Sequence, residues 1–156
     1  MNNIFKVSVI IPVYNAAEFL QQGLDSLLGQ TLRDIEIICV NDGSSDKSLE
    51  ILKEYEKKDS RIKVIDQENQ GAGAARNNGM AIAQGEYLAF LDADDFFEEN
   101  MLEEAYNAAR AKDAEVCVFN ADLYDYTEKT YKKCTWAFRK QYFPEREPFS
   151  ARDEDV

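Results

Sequence analysis

The sequence predicts an α/β fold, an open and mostly parallel sheet with helices on both of its faces. Short, nearly continuous apolar segments rich in β-branched residues alternate along the chain with segments whose apolar residues recur at helical spacing. The unbroken apolar segments are typical of parallel strands that are buried on both faces. Repeated β-α-β units need crossover connections, and these place helices against both sides of the sheet.

Five segments have the pattern of buried strands. They are residues 7–13 (VSVIIPV), 35–40 (IEIICV), 62–66 (IKVID), 86–91 (EYLAFL) and 114–121 (AEVCVFNA). Pro12 ends the first of them, because proline has no N–H to donate to a neighbouring strand. Strands and intervening helices thus account for the chain as far as residue 121.

Four segments between or beside these strands have helical periodicity. The first carries leucines from Leu20 to Leu28, and Asn15 with Glu18 three residues later resembles a capping box before it. The second contains Leu49 and Leu52, the third covers 71–83, and the fourth covers about 99–111. Caps for the second helix are offered by Ser44, Ser45 or Asp46, and Asp95 is expected to cap the fourth.

The pattern changes after residue 121. Residues 122–138 alternate aromatic, polar and charged side chains, which predicts an antiparallel hairpin. Residues 139–156 have two prolines, mixed charges and no periodicity. We therefore expect residues 1–121 to form one domain, and 122–156 to be an incomplete segment that is partly disordered.

Composition excludes several classes of function. The chain has 30 acidic and 18 basic residues, and a net charge of −12 argues against nucleic-acid binding, which selects basic surfaces. It has no histidine, so acid–base chemistry must use carboxylates, Tyr, Cys or Lys. Three distant cysteines form neither a disulfide framework nor a zinc signature, which favours a reducing, cytoplasmic compartment. No apolar run approaches the ~20 residues of a membrane span.

Aspartates follow the fourth predicted strand. Asp92 and Asp94 come directly after Leu91, and in extended backbone side chains two residues apart point the same way. Two hard oxygen ligands suit Mg²⁺ or Mn²⁺, which fill their remaining positions with substrate phosphates and water. The alternative is a solvated acidic turn, but ligands of such sheets bind at the carboxyl ends of the strands, which favours a site.

Two more loops lie at the same predicted edge. GAGAAR (71–76) follows the third strand and opens a helix, either for close packing or as a phosphate site in which Arg76 pairs with a diphosphate. It is a weak dinucleotide fingerprint, because an Arg replaces the third glycine. Asp42 follows the second strand, either as a turn former or as an acceptor for a ring N–H or a ribose hydroxyl.

The motifs VSVIIPVYN, ICVNDGSSD, NQGAGAARNN and EYLAFLDADD resemble those of the family 2 glycosyltransferases, which have the GT-A fold, a Rossmann-like nucleotide-sugar-binding fold. The resemblance covers residues 6–121 and joins the four motifs in the same order. It implies transfer of a sugar from a nucleotide-diphosphate donor, usually a UDP-sugar, to an acceptor hydroxyl. It further implies inversion at the anomeric carbon and assistance by Mn²⁺ or Mg²⁺.

The resemblance also assigns roles to residues. The loop after the first strand would cradle the base with Pro12, Val13, Tyr14 and Asn15. Asp42 would also meet the base, and the diphosphate would lie near Gly71, Ala75, Arg76 and Asn77. The D-x-D motif maps to Asp92, Ala93 and Asp94, with Asp92 and Asp94 at the metal and Asp94 its more direct ligand.

The general base is expected near the end of the chain. The family places it in a Glu-Asp pair shortly after an FPE stretch, which maps to Asp155 after Phe143, Pro144 and Glu145. The alternative is a charged, disordered tail. Because family members continue well beyond this point, we expect the chain to be part of a longer enzyme, with residues 1–121 on the donor side and 122–156 on the acceptor side.

The acceptor implied by the family is a glycan or a lipid-linked sugar, which places the enzyme in the cytoplasm at the inner face of a membrane. Two other functions stay open at this point. A sugar nucleotidyltransferase would have a Gly-rich loop with a basic residue after the first strand, and PVYNAAEF has neither. A nucleotide-sugar-binding module without turnover would share every motif except the base.

Overall fold

The computed structural model of the chain describes residues 5–119 and 121–133. It divides the chain into two compact units, whose boundary in the sequence lies between Tyr106 and Asn107. The first unit alternates strands and helices: β1 (Phe5–Val13), α1 (Leu20–Leu28), β2 (Ile35–Asp42), α2 (Ser48–Lys58), β3 (Ile62–Gln67), α3 (Ala72–Ile82) and β4 (Gly85–Phe90). Helix α4 (Met101–Ala111) follows and runs across the boundary.

The four strands form one sheet in the order β3-β2-β1-β4, and every pair of neighbours is parallel. Strand β2 lies inside the sheet and all eight of its residues are buried. This explains its uninterrupted apolar run, since a strand between two neighbours and two helical layers has no solvent-facing side. The predicted α/β fold with a parallel sheet is confirmed.

Helices cover both faces of this sheet. On one face Ile11 and Ile37 pack with Leu24 of α1 and Leu52 of α2 in a fully buried core. On the other face Ile10, Ile38 and Val40 pack against Ala75 of α3. The alternation of Ile10 and Ile11 follows from the two-residue period of a strand, which sends successive side chains to opposite faces.

A buried carboxylate joins the amino-terminal parts of the four strands. Oε1 of Glu36 in β2 accepts hydrogen bonds from Oγ–H of Ser8 in β1 (2.6 Å) and from the Gln84 N–H that precedes β4 (2.6 Å). Oε2 accepts from Nζ of Lys63 in β3 (2.8 Å), and Oγ of Ser8 accepts from the Gly85 N–H (2.8 Å). Burial acts to raise the pKa of Glu36, but these donors outweigh it and the pKa is lowered.

The predicted fifth strand is wrong for the residues that the structure describes there. Residues 114–119 form no strand, and Val116 and Val118 are 71% and 55% exposed. Alternating apolar residues become a strand only where they join a sheet, and neither sheet of the described residues includes this segment. Residue 120 lies outside the described ranges.

The predicted hairpin is confirmed in the second unit. Strands β5 (Asp122–Asp125) and β6 (Thr130–Lys133) pair in antiparallel register, with Tyr124 opposite Tyr131. The ring centroids of these two tyrosines are 5.1 Å apart, an aromatic cross-strand pair of the kind that stabilises hairpins. The segment 134–156, with the expected base Asp155, lies outside the described residues. Within the described part of the chain, no helix is long and apolar enough to cross a membrane.

Candidate active site

Four loops follow the carboxyl ends of the four strands, and parallel strands place these loops along one edge of the sheet. The site residues predicted within residues 5–119 lie in these loops or beside them. They are Pro12, Val13, Tyr14 and Asn15 after or at the end of β1; Asp42 at the end of β2; Gly71, Arg76 and Asn77 at the start of α3; and Asp92, Ala93 and Asp94 after β4.

The loop after β1 is fastened to the loop after β2 through Asn15. Its Oδ1 accepts hydrogen bonds from the Ser45 N–H (2.8 Å) and, at longer range, from the Asp46 N–H (3.3 Å), and its own N–H donates to Oγ of Ser44 (3.0 Å). Asn15 has a φ of +50°, which asparagine tolerates better than most residues. The predicted capping role is therefore wrong: Phe19 stands at the N-cap of α1, and Asn15 bridges two loops instead.

The other residues predicted to cradle a base differ in what they expose. Val13 is fully buried and belongs to the core, so only its backbone could meet a ligand. Pro12 is partly buried. The Tyr14 side chain is 56% exposed and offers an aromatic surface at the loop.

Asp42 holds the loop that follows β3. Its Oδ1 accepts from Nε2 of Gln67 and from the Gln70 N–H, and its Oδ2 accepts from the Gly71 N–H, each at 2.8 Å. Burial is the largest influence on the pKa of Asp42 and would raise it, but the three donors together lower it, so the group is a carboxylate at neutral pH. A carboxylate has about four acceptor positions, which leaves one for a ring N–H or a hydroxyl.

The loop after β2 and the start of α3 each contain a glycine with a positive φ. Gly71 has a φ of +88° at the N-cap, and Gly43 has a φ of +71° with its Cα so close to Asn69 that an added Cβ would lie 2.8 Å from the Asn69 nitrogen. Both conformations favour glycine. Within α3, Ala75 is buried against the sheet, whereas Asn77 is exposed. These glycines let the loop turn back so that Asp42 can bind it.

Arg76 is paired with the acidic motif. Its Nη2 lies 2.5 Å from Oδ1 of Asp92, and the two side chains are 35% and 55% exposed. Partial withdrawal from solvent and the negative charges of Asp94 and Asp92 raise the pKa of the nearby Asp95 carboxyl. Asp95 lies six residues before α4 begins at Met101, so its predicted capping role is also wrong.

The donor set at this motif fits a divalent ion that is shared with a ligand. Asp92 and Asp94 supply hard oxygen atoms, and the Arg76 guanidinium beside Asp92 offsets part of their negative charge. Over the described ranges, no group of three or more His, Cys, Asp or Glu side chains could hold a metal. Mg²⁺ in proteins is usually bound by one or two carboxylates, and phosphate and water occupy its remaining coordination positions.

The segment after the acidic motif is attached to α1 by a residue that the sequence analysis did not identify. Gln30 is fully buried, and its Nε2 donates to the Glu98 carbonyl (2.7 Å) while its Oε1 accepts from the Leu102 N–H (3.0 Å). No sequence signal identifies it, because a polar residue just after a helix is ordinarily exposed.

Comparison with known proteins agrees with this geometry. Residues 8–154 match the family described as glycosyl transferase family 2. The glycosyltransferase GlyG of Streptococcus pneumoniae is 40% identical over 126 residues, which are 80% of this chain and 42% of GlyG. The putative glycosyltransferase EpsH of Bacillus subtilis is 46% identical over 125 residues, 80% of this chain and 36% of EpsH. The matched part of the chain thus covers less than half the length of these curated relatives.

A solved structure shows the same fold. The crystal structure of residues 1–349 of S. aureus TarS in complex with UDP-GlcNAc is 32% identical and superposes with a TM-score of 0.65, covering 69% of this chain and 32% of that one. Since the family match covers most of the chain and the parallel sheet with its loops agrees with the GT-A fold, this chain belongs to glycosyl transferase family 2.

Proposed function

We propose that this chain carries the donor site of an inverting, metal-assisted glycosyltransferase that uses a UDP-sugar. The observation that carries the proposal is the pairing of Arg76 with Asp92 at the carboxyl end of β4. It brings a cation suited to a diphosphate next to carboxylates suited to a divalent ion. The choice of UDP is supported by TarS, which was crystallised with UDP and with UDP-GlcNAc.

In this proposal the loops after β1 and β2 bind the uracil. The exposed ring of Tyr14 provides a flat apolar surface, and the remaining acceptor position of Asp42 takes the ring N–H. Pro12, Val13 and Asn15 contribute backbone and keep the loop in shape. Residues 1–121 would then form the donor side, and residues 122–156 would begin the acceptor side.

The diphosphate would lie between the start of α3 and the acidic motif. Arg76 would bind its negative charge, with Gly71 and Asn77 beside it, and Asp94 and Asp92 with Ala93 between them would face it from the end of β4. When bound there, Mn²⁺ or Mg²⁺ would neutralise the charge that develops on the leaving UDP. Arg76 adds a second positive group at the same place.

The acceptor hydroxyl must lose a proton as it attacks the anomeric carbon from the face opposite to the UDP. A carboxylate is the natural base in a chain without histidine, and Asp155 is our candidate for it. A glycan or a lipid-linked sugar at the cytoplasmic face of a membrane is the acceptor that the family suggests.

Calorimetry with UDP tests the donor site. We expect UDP to bind more tightly with MnCl₂ than with EDTA, and Asp94→Ala to abolish that difference, while Asp34→Ala, an exposed aspartate just before β2, preserves it. If UDP affinity is indifferent to both the metal and Asp94→Ala, the donor-site proposal is wrong. Release of UDP from a UDP-sugar would separate an active enzyme from a binding module without turnover.

A further inference from the structure

A short span of chain carries the aspartates of the acidic motif, and both of its ends are fixed. At one end Leu91 is buried and its N–H donates to the Ile10 carbonyl (3.1 Å), which continues the sheet beyond β4. At the other end the backbone of Asp95 passes directly over α1, because a Cβ added to Gly23 would lie 2.9 Å from the Asp95 carbonyl oxygen. Asp92 and Asp94 lie between these two attachments.

The attachment to α1 continues along the segment from Asp95 to Leu102. Oγ of Ser26 accepts from the Phe97 N–H (3.2 Å) while it donates to the Gly23 carbonyl (2.7 Å). The Thr31 N–H donates to the Glu99 carbonyl (2.8 Å). The segment is irregular as far as Asn100, so several of its backbone groups are paired with partners outside it.

Gln30 is the centre of this attachment. Its Nε2 donates to the Glu98 carbonyl (2.7 Å) and to the Ser26 carbonyl in the last turn of α1 (3.1 Å), and its Oε1 accepts from the Leu102 N–H (3.0 Å). A primary amide has both donors and an acceptor on one planar group, which neither a carboxylate nor an apolar side chain of this size offers. Its complete burial keeps water from replacing these bonds.

We propose that Gln30, supported by Ser26, is a positioning residue for the metal-binding aspartates, an inference that rests on the proposed donor site. The side chain of Gln30 binds the backbone of Ser26, Glu98 and Leu102, and so acts by fixing the chain that leads away from Asp92 and Asp94. A loop that is already ordered loses little conformational freedom when an ion binds, whereas a loosened loop must be ordered at that moment. Gln30 therefore sets the metal-dependent part of UDP affinity.

The loops after β1, β2 and β3 are held by other contacts. Asn15 joins the first two loops, and Asp42 holds the third, without help from Gln30 or Ser26. Loosening the attachment at Gln30 is thus expected to leave the metal-independent affinity for UDP in place. This separation distinguishes a positioning role from a general structural one.

The test compares wild type with Gln30→Met, which keeps the size of the side chain and removes its amide. Gln22→Met is the matched control, an exposed glutamine in α1, the helix that ends two residues before Gln30. UDP affinity is measured by calorimetry with MnCl₂ and with EDTA. We expect Gln30→Met to reduce the ratio of the two affinities by about three- to tenfold, while the affinity in EDTA stays within about twofold. Gln22→Met should match wild type in both conditions.

Hydrogen exchange of the peptide that covers 92–102 provides the structural readout. Faster exchange there in Gln30→Met, together with the reduced ratio, supports the proposal; faster exchange with an unchanged ratio overturns it. If Gln30→Met does not fold, Ser26→Ala carries the same test, since it removes the acceptor for the Phe97 N–H and the donor to the Gly23 carbonyl but leaves the Gln30 amide in place. If the UDP affinity of the wild-type chain is the same with and without Mn²⁺, the donor-site proposal and this inference are both refuted. If the wild-type affinity depends on Mn²⁺ and the affinity of Gln30→Met depends on it equally, only this inference is refuted.

Discussion

Replacing Glu36 by glutamine tests whether the buried carboxylate holds the sheet together. The substitution is nearly isosteric, so it changes charge and hydrogen bonding without opening a cavity. The amide oxygen can still accept from Oγ–H of Ser8 and from the Gln84 N–H, but its NH₂ group would face the ammonium of Lys63, donor against donor. The side-chain hydrogen bond from Lys63 in β3 to Glu36 in β2 is thus the contact that is lost.

The expected destabilisation follows from that one contact. Hydrogen bonds to charged groups contribute about 1.5–3 kcal/mol each to stability. The Lys63 side chain is 39% exposed, so its ammonium regains water and the loss is in the lower part of this range, about 2 kcal/mol. Glu36→Ala would also leave the Gln84 N–H without its acceptor and open a void, and we expect it to destabilise the fold by about 3–5 kcal/mol.

Urea denaturation followed by circular dichroism measures this effect. Glu36→Gln should lower the midpoint without changing the slope, and lower the thermal midpoint by roughly 4–8 °C for a chain of this size. Glu68→Gln, in the exposed loop after β3, is the control and should stay within about 0.5 kcal/mol of wild type. A deficit no larger than that of the control would refute the reasoning.

The pH dependence provides an independent check. The pKa of Glu36 is lowered in the folded chain, so its contribution is complete above its unfolded value of about 4.3 and is lost as the pH falls through the lower folded value. The difference in stability between wild type and Glu36→Gln should therefore be constant near neutrality and shrink below about pH 4. A difference that stays the same down to pH 3 would contradict the assigned titration.

Three further predictions concern α3, the third loop and the thiols. Gly79→Ala should destabilise by about 1–3 kcal/mol in urea, because its Cβ would lie 2.6 Å from Cγ2 of Ile10, whereas Gly73→Ala in the same helix meets no atom within 4 Å and should stabilise by about 0.5–1 kcal/mol; equal effects would refute this packing. Asp42→Asn replaces one carboxylate oxygen, which accepts a hydrogen bond, by an NH₂ group, and we expect a loss of about 1.5–3 kcal/mol near neutral pH. Because the pKa of Asp42 is lowered, this loss should begin to shrink below the unfolded value of about 3.9 and vanish as the pH falls through the lower folded value. Burial and then the charge of Glu56 raise the pKa of Cys39 to about 12, so an aromatic disulfide reagent should label Cys39 only after unfolding. Peptide mapping separates it from the partly exposed Cys117, and rapid labelling of Cys39 itself in the native chain would contradict its burial.

Local sequence was sufficient for the parallel sheet. IEIICV and VSVIIPV became β2 and β1, because a strand enclosed on both faces needs an apolar residue at nearly every position, and this need can be recognised from composition alone. The family motifs then predicted a donor site at the carboxyl ends of the strands. The same local reasoning failed for AEVCVFNA, since apolar alternation indicates readiness to pair and says nothing about whether a partner strand lies beside it.

The partners of the site residues were decided only by the tertiary structure. Asn15 has the right type and spacing for a helix cap, yet it binds a loop 30 residues away. Arg76 pairs with Asp92 across 16 residues, and Gln30 binds Leu102 across 72. Periodicity and composition indicate the tendency of each position to be buried, because that tendency is a property of one residue at a time. A hydrogen bond depends on two positions, and residues far apart in the sequence become neighbours only once the sheet and its helices have formed.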